Sequence, residues 1–286
     1  MDLNIQRRKA DAFRRMHDRS RILVLANIWD AMSARVVEDA GARAIATSSA
    51  TLAHSIGYPD GEAAPREEIV AAIARIARSV DAPVSADIES GFGGTPAEVA
   101  ETIAMVIDAG AVGINLEDAV HERGGELYEI PQALERLAAA REAAAKSGVP
   151  LVINARTDVF LLGVGAREQR LDHAVRRANA YREAGADCLF VPAVRDAQTI
   201  GALARGIGGP LNVLAGPGTP PIPELERLGV ARVSVGSWPG LAAQTLARKI
   251  AHELLTAGTY SFISADTITY PDANAMMKRR GPAPRA

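Results

Sequence analysis

The chain reads as an α/β protein, a (β/α)8 TIM barrel with an N-terminal helix and a C-terminal tail. Three observations predict this. The first is a repeat in which a helix ends at glycine and an apolar strand follows: Asp39-Ala40-Gly41-Ala42, Asp108-Ala109-Gly110-Ala111, Glu183-Ala184-Gly185-Ala186 and Arg227-Leu228-Gly229-Val230. The second is that these strands are continuously apolar, the mark of parallel strands buried on both faces. The third is size: eight such units in about 235 of the 286 residues match a single TIM barrel. A doubly wound open sheet is the runner-up, but Asn27-Ile28-Trp29-Asp30-Ala31 has nothing of its glycine-rich fingerprint.

Residues 3–19 have a basic helical pattern with apolar Leu3, Ala10, Phe13 and Met16, suited to covering one end of the barrel. The eight strands are Ile22–Ala26, Ala44–Thr47, Val84–Ile88, Val112–Leu116, Leu151–Asn154, Cys188–Val191, Leu211–Leu214 and Val233–Val235. Between them lie helices at 31–40, 67–79, 131–147, 167–184, 196–206, 222–228 and 238–257, and one opened by Thr95-Pro96-Ala97-Glu98. That tetrapeptide joins a capping box to a first-turn proline. Residues 1–257 form the barrel domain with its N-terminal helix. The tail, 258–286, carries Tyr260, Phe262 and Tyr270 before turning polar, and Arg279–Ala286 is expected to be mobile.

Composition narrows the function. Hydrophobic residues are 48% and charged residues 23%, ordinary for a globular protein, and the net charge of −2 offers no basic excess for nucleic acid or anionic membrane. A single cysteine, Cys188, excludes an internal disulfide and a cysteine-based metal site. The polar start lacks the apolar core of a signal peptide, and no run is long enough to span a membrane. A cytoplasmic protein is expected.

The chemistry centres on Val84-Ser85-Ala86-Asp87-Ile88-Glu89-Ser90-Gly91-Phe92-Gly93-Gly94. Alternate strand residues share a face, so Asp87 and Glu89 are expected to point the same way. Two close carboxylates repel unless a proton or cation lies between them, and a hard cation with oxygen ligands is the usual solution. Other strand ends supply Ser48-Ser49, Glu117-Asp118 and Asn154-Ala155-Arg156-Thr157-Asp158, and strand seven begins near Asn212. Acids converging from several strands favour a divalent cation. An arginine opposite them favours a substrate carboxylate, or else pairs with Asp158 or Glu117 as structure. The hydroxyls and backbone N–H groups of Ser48–Ala50 suit a second oxygen group.

Taken in order, Asp30-Ala31-Met32-Ser33-Ala34-Arg35, Ser48-Ser49, Gly57-Tyr58-Pro59-Asp60, Ala86-Asp87-Ile88-Glu89-Ser90-Gly91-Phe92-Gly93, Asn115-Leu116-Glu117-Asp118 and Asn154-Ala155-Arg156-Thr157-Asp158 closely resemble the isocitrate lyase/phosphoenolpyruvate mutase superfamily, over roughly residues 20–250. The resemblance implies an enzyme dependent on Mg²⁺, with Mn²⁺ as the alternative, that acts on a small 2-oxo carboxylate. It implies Asp87 as the direct metal ligand, with Asp60, Glu89 and Glu117 holding metal-bound water. It implies Ser48, Ser49 and Ala50 on the substrate carboxylate, Arg156 on a substrate oxygen, Asn212 at the substrate site, and a homotetramer that swaps its last barrel helix, here about 238–257.

The same comparison shows departures. The lyases carry a Lys-Arg-Cys-Gly-His segment after strand four; here Arg123 takes the lysine position and Gly125 the cysteine position. Their later glutamates are replaced by Pro192 and Ala215. The phosphonopyruvate branch has Asn-Ser where this chain has Gly125-Glu126. Cleavage of a C–C bond in an oxaloacetate-like acid through a metal-stabilised enolate is the expected reaction, with His121, Arg123 and Glu117 as candidate catalytic groups and Glu122 beside them. The alternatives are a P–C bond mutase or hydrolase, and a 2-oxo-acid binding protein with little turnover.

Overall fold

The computed structural model describes residues 2–18, 20–121 and 124–278. Glu122, Arg123 and the Arg279–Ala286 end lie outside the described residues. In chain order the elements are α1 (Leu3–Arg15), β1 (Leu23–Leu25), β2 (Asn27–Ile28), α2 (Ala31–Asp39), β3 (Ile45–Thr47), α3 (Ser49–Ser55), α4 (Arg66–Ser79), β4 (Val84–Asp87), α5 (Pro96–Asp108), β5 (Gly113–Glu117), β6 (Ala119–Val120), β7 (Glu126–Leu127), α6 (Ile130–Ser147), β8 (Val152–Arg156), α7 (Arg170–Glu183), β9 (Cys188–Val191), α8 (Ala197–Gly206), β10 (Leu211–Leu214), α9 (Ile222–Arg227), β11 (Arg232–Ser234), α10 (Trp238–Thr256) and α11 (Tyr270–Lys278).

The strands make one parallel sheet in the order β1-β11-β10-β9-β8-β5-β4-β3-β2. The first expected strand is present as β1, and a second short strand, β2, follows it where a loop is expected. β1 pairs with β11, while β2 pairs with β3, and the chain passes from one to the other at Ala26. Asn27 spans the place where the two backbones part. Its Oδ1 accepts from the N–H groups of Val235 and Gly236, both at 2.9 Å, and its Nδ2 donates to Thr47 O at 2.8 Å. The side chain thus supplies ladder bonds that the backbone gives up, and the sheet curls into a barrel.

The repeat works as expected. Gly41, Gly110, Gly185 and Gly229 all adopt left-handed φ, between 91° and 101°. Glycine takes this conformation without the Cβ clash that other residues meet, so each helix stops and hands over to a strand. The capping box at Thr95 and Glu98 is present.

Helix α1 closes the barrel at the N-terminal ends of the strands. Gln6 Nε2 donates to Ile107 O at 2.7 Å and Ala111 O at 3.0 Å, just before β5, and Arg14 pairs with Asp187, just before β9. Phe13 is fully buried, and a Cβ built on Gly113 would sit 2.6 Å from its ring. The absence of a side chain there is what lets the ring plug the barrel.

Three short elements go beyond the sequence expectations: α3, the β6–β7 hairpin and α11, which lies against α2. Each is nine residues or fewer, too short for hydrophobic periodicity to announce. Among the described residues no helix is long and apolar enough to cross a membrane.

Replacing Phe13 by Ala is expected to open a cavity at the barrel base and cost about 3–5 kcal/mol. Urea unfolding checks this as a lower midpoint with an unchanged slope.

Candidate active site

Strand β4 ends at Asp87, and the next residues turn sharply. Glu89 and Phe92 both adopt left-handed φ, 51° and 54°, which is strained for residues with a Cβ. Strand alternation therefore does not decide where Glu89 points, contrary to the reading of the sequence. The turn is held from two sides. Arg136 Nη2 donates to Ser90 O and, at 2.8 Å, to Gly93 O. Glu62 Oε1 accepts from Ser90 Oγ at 2.7 Å and Phe92 N at 2.8 Å, while Glu62 N donates to Glu89 Oε2 at 2.7 Å. The last contact fastens the loop that carries Asp60 to the turn after Asp87.

A cleft of about 200 Å³ lies over the C-terminal ends of the strands. Its polar wall includes Ser48, Ser49, Ala50, Asp60, Asp87 and Arg156, six of the residues singled out in the sequence. Asn27, Asn115 and Ser234 add further polar groups, and Leu161, Phe190, Pro192, Leu214 and Trp238 form an apolar side. Asp87 Oδ2 accepts from Ser49 N at 3.2 Å, and Asp87 N donates to Thr47 Oγ1 at 2.8 Å. Asp87 Oδ1 is buried with no hydrogen-bond partner. Burial raises the Asp87 carboxyl above the ordinary range, against the pull of Arg156 and the Ser49 N–H.

Arg156 is held by two acids. Its Nε and Nη2 grip Asp158 at 2.6 and 2.8 Å, a bidentate pair, and its Nη1 lies 2.6 Å from Glu117 Oε2. Burial disfavours its charge, but Glu117 and Asp158 more than compensate and keep the guanidinium firmly protonated. Both structural pairings that the sequence left open are thus made, and Arg156 still reaches the cleft wall. Asp158 is itself positioned, since its N–H donates to Asp118 Oδ1 at 2.9 Å. Asp118 turns away from the cleft, its Oδ2 accepting from Tyr181 Oη at 2.7 Å and Arg177 Nη1 at 3.2 Å. Glu117 and Asp118 are adjacent, so they face opposite ways.

Glu89 and Glu117 stand behind the cleft wall rather than on it, joined by His121. The imidazole Nε2 is 3.1 Å from Glu117 Oε1 and 3.6 Å from Glu89 Oε2. Burial pushes the Glu89 carboxyl up to about 8, with the charges of Asp60 and Asp87 adding to it. Burial pushes Glu117 up to about 7, against Arg156. For His121 burial works downward, but its contact with Glu117 and the Glu89 charge prevail and carry it up to about 9. His121 faces a second hollow, lined also by Glu62, Ser90, Phe92 and Tyr128, and is not on the wall of the main cleft.

Asn212 is not on that wall either. It is the second residue of β10, fully buried, and exchanges hydrogen bonds with Ser234 Oγ at 3.3 Å. Leu214, two places further along at the strand end, reaches the cleft instead. Arg123 and Glu122 lie outside the described residues. Cys188 is fully buried in the barrel, its thiol pushed up to about 12 by burial, and has no part in the cleft. The sequence reading missed Asn27, Phe190, Ser234 and Trp238 as wall residues. Their signal was position alone, at or just beyond strand ends, since their residue types carry no catalytic pattern.

Comparison with known proteins agrees with this geometry. The family model described as phosphoenolpyruvate phosphomutase matches residues 13–255. A crystal structure from Burkholderia cenocepacia J2315, provisionally described as a lyase/mutase, is 39% identical with a TM-score of 0.89, covering 96% of this chain and 98% of that one. The 2-methylisocitrate lyase of Halalkalibacterium halodurans is 31% identical over 72% of this chain and 67% of its own length. Phosphonopyruvate hydrolase, solved with oxalate and Mg²⁺, is 26% identical with a TM-score of 0.82, covering 94% of each chain. A TIM barrel with its polar groups gathered at the C-terminal strand ends, matched by this family over nearly its whole length, makes the chain a member of the isocitrate lyase/phosphoenolpyruvate mutase superfamily, whose enzymes are lyases, mutases and hydrolases acting on C–C or P–C bonds.

Proposed function

We propose that the chain is a divalent-cation-dependent enzyme that cleaves a C–C bond in a small, oxaloacetate-like 2-oxo carboxylate. The observation that carries this is Asp87 Oδ1, buried and unpartnered on the polar wall of a cleft that also holds Arg156. A buried carboxylate oxygen without a donor is costly unless something positive completes it.

The donor set fits Mg²⁺, with Mn²⁺ as the alternative. Among the described residues no three His, Cys, Asp or Glu side chains close on one point as direct ligands. Mg²⁺ needs no such cage, because it keeps several waters and takes one or two carboxylates. Asp87 would hold it directly, and Asp60 shares the cleft wall. Glu89 and Glu117 stand within electrostatic reach, and the acids outnumber the bases Arg156 and His121. When bound, the cation supplies Lewis acidity that stabilises negative charge growing on the substrate as the bond opens.

The chain's own residues do the rest. Arg156, pre-aligned by Asp158, offers a fixed cation to a substrate oxygen. Ser48 Oγ, which forms no capping bond in α3, is available to the substrate carboxylate. Phe190, Pro192, Leu214 and Trp238 exclude water on the opposite side and leave room for only a small acid. His121, charged and set between two acids, holds a proton next to Glu117. The absence of the lyase cysteine and of the Asn-Ser pair argues against tricarboxylate and phosphonate substrates.

We further propose that the chain works as a homotetramer with α10 swapped between subunits. Along this 19-residue helix only Gly240 is buried, while Trp238, Leu241, Leu246, Leu254 and Leu255 are exposed. So large an apolar surface on one helix calls for a partner.

Four outcomes are expected. In a panel of oxaloacetate, 2-oxoglutarate, phosphonopyruvate, 2-methylisocitrate and dimethylmalate with Mg²⁺, oxaloacetate is turned over fastest; phosphate release from phosphonopyruvate as the leading activity would sink the C–C reading. Asp87→Ala abolishes both turnover and the rise in Tm that Mg²⁺ brings, while the far-ultraviolet circular dichroism of the barrel is retained. Without metal, stability falls as pH rises from about 4.5 toward 9, because folded Glu89, Glu117 and His121 keep protons that the unfolded chain has released. Mg²⁺ then stabilises more at pH 8 than at pH 5, and a flat or opposite profile in Tm against pH refutes the acid cluster. Light scattering gives a mass near four times 30.1 kDa, and Leu246→Glu with Leu255→Glu gives a smaller species.

A further inference from the structure

Asn115 sits beside Asp87 in the sheet register and lines the cleft, yet the metal and substrate groups already assigned do not include it. Its side-chain orientation is settled by chemistry. Asn115 Oδ1 accepts from Arg232 Nη2 at 3.3 Å and from Asn154 Nδ2 at 2.7 Å. Arginine carries only donors, so the Asn115 atom facing it is the oxygen. With that oxygen in place, Asn154 must turn its NH₂ toward it, and Asn154 Oδ1 is left buried without a partner.

The consequence falls on the other end of the Asn115 amide. Its Nδ2 has no hydrogen bond among the described residues, yet it is not one of the sealed, unpartnered atoms of the interior. In a side chain only 5% exposed, that donor opens onto the cleft next to Asp87. Arg232 is the cause. It is fully buried at the first position of β11, over the Phe13 ring, with Nε and Nη1 unpartnered. A cation buried with so little compensation is costly and packing alone does not call for it.

We propose that Asn115 is a further substrate-binding residue that presents Nδ2–H to an oxygen of the bound acid beside the Asp87 carboxylate, and that Arg232 is the positioning residue that sets the amide's orientation. This rests on reading the cleft as a 2-oxo acid site. It adds a specificity rule: the ligand must bring an acceptor oxygen next to the cation that Asp87 holds. Two adjacent oxygens, as in a 2-oxo carboxylate or oxalate, meet the rule, whereas an acid bearing an apolar group at that position leaves the donor buried and unpaired.

Calorimetric titration of oxalate in the presence of Mg²⁺ tests this on the full chain. Asn115→Asp keeps the side chain's shape and gives Arg232 a carboxylate to pair with, so the barrel is expected to fold, but it loses the donor. Its oxalate affinity is expected to fall at least tenfold, and that of Asn115→Ser several-fold. Arg232→Gln is expected to weaken oxalate several-fold, Arg232→Lys to restore most of the loss, and Arg232→Gln to cause no further loss in the Asn115→Ser background. A merely structural arginine would show neither the rescue nor that coupling. Wild-type binding with unchanged affinity in both Asn115 variants overturns the inference alone. Failure of the wild type to bind oxalate overturns the 2-oxo acid reading and this inference with it.

Discussion

The Arg156 guanidinium is the interaction on which the strand-end architecture depends. It is largely withdrawn from water, and acids in good geometry offset the cost of that desolvation. Glu117 and Asp158 do so, and they come from β5 and from just past the end of β8. The pairing runs on in both directions. Toward the surface Glu117 meets His121, which meets Glu89. Toward the helices Asp158 leans on Asp118, which Tyr181 and Arg177 of α7 hold in place. One cation thus orders a chain of groups across three strands and a helix. Removing one member of a buried pair of this kind typically costs about 3–5 kcal/mol, so these positions have little freedom.

That constraint separates two layers of the site. The groups on the cleft wall, Asp87, Asp60, Ser48 and Arg156, are within reach of a bound molecule. Behind them Glu89, Glu117 and His121 share protons and charge without touching the cleft. The rear layer is rich in acid and short of base, which is why burial and mutual repulsion lift Glu89 and Glu117 so far. The strained turn from Glu89 to Gly93 persists because Arg136 and Glu62 make five hydrogen bonds to it. Strain kept beside a carboxylate cluster, rather than relaxed, is the pattern of a functional turn.

Much of this was legible in the residue order. The glycine-ended helices and apolar strands gave away the barrel, because both signals are local and repeat four times or more. Ser48, Ser49, Ala50, Asp87 and Arg156 come together as their positions at strand ends suggest, and Asp60, expected from the family resemblance alone, joins them from the loop between α3 and α4. The exceptions have physical causes. Glu89 was assigned to a strand face, but the chain leaves β4 two residues earlier and turns left-handed. Asn212, expected at the substrate site, lies near the start of its strand as the sequence indicates and is used up by Ser234. His121, a candidate proton donor by sequence, lies against the carboxylates of Glu117 and Glu89.

Residue order alone carries the barrel, its polar and apolar ends, and the strand-end acids Asp87 and Glu117 with Arg156. These follow from periodicity, from glycine's conformational freedom and from the cost of burying charge, all properties of residues and their near neighbours. Which acid is left with an unpartnered oxygen, which of the possible pairs take up Arg156, and which end of the Asn115 amide faces the cleft emerge only in the closed barrel. Apart from the neighbouring Arg156–Asp158 pair, those outcomes depend on contacts between residues 38 to 117 positions apart, such as Ser49 with Asp87, Glu117 with Arg156 and Asn115 with Arg232. No local pattern encodes such contacts, because each is made only once the barrel has closed.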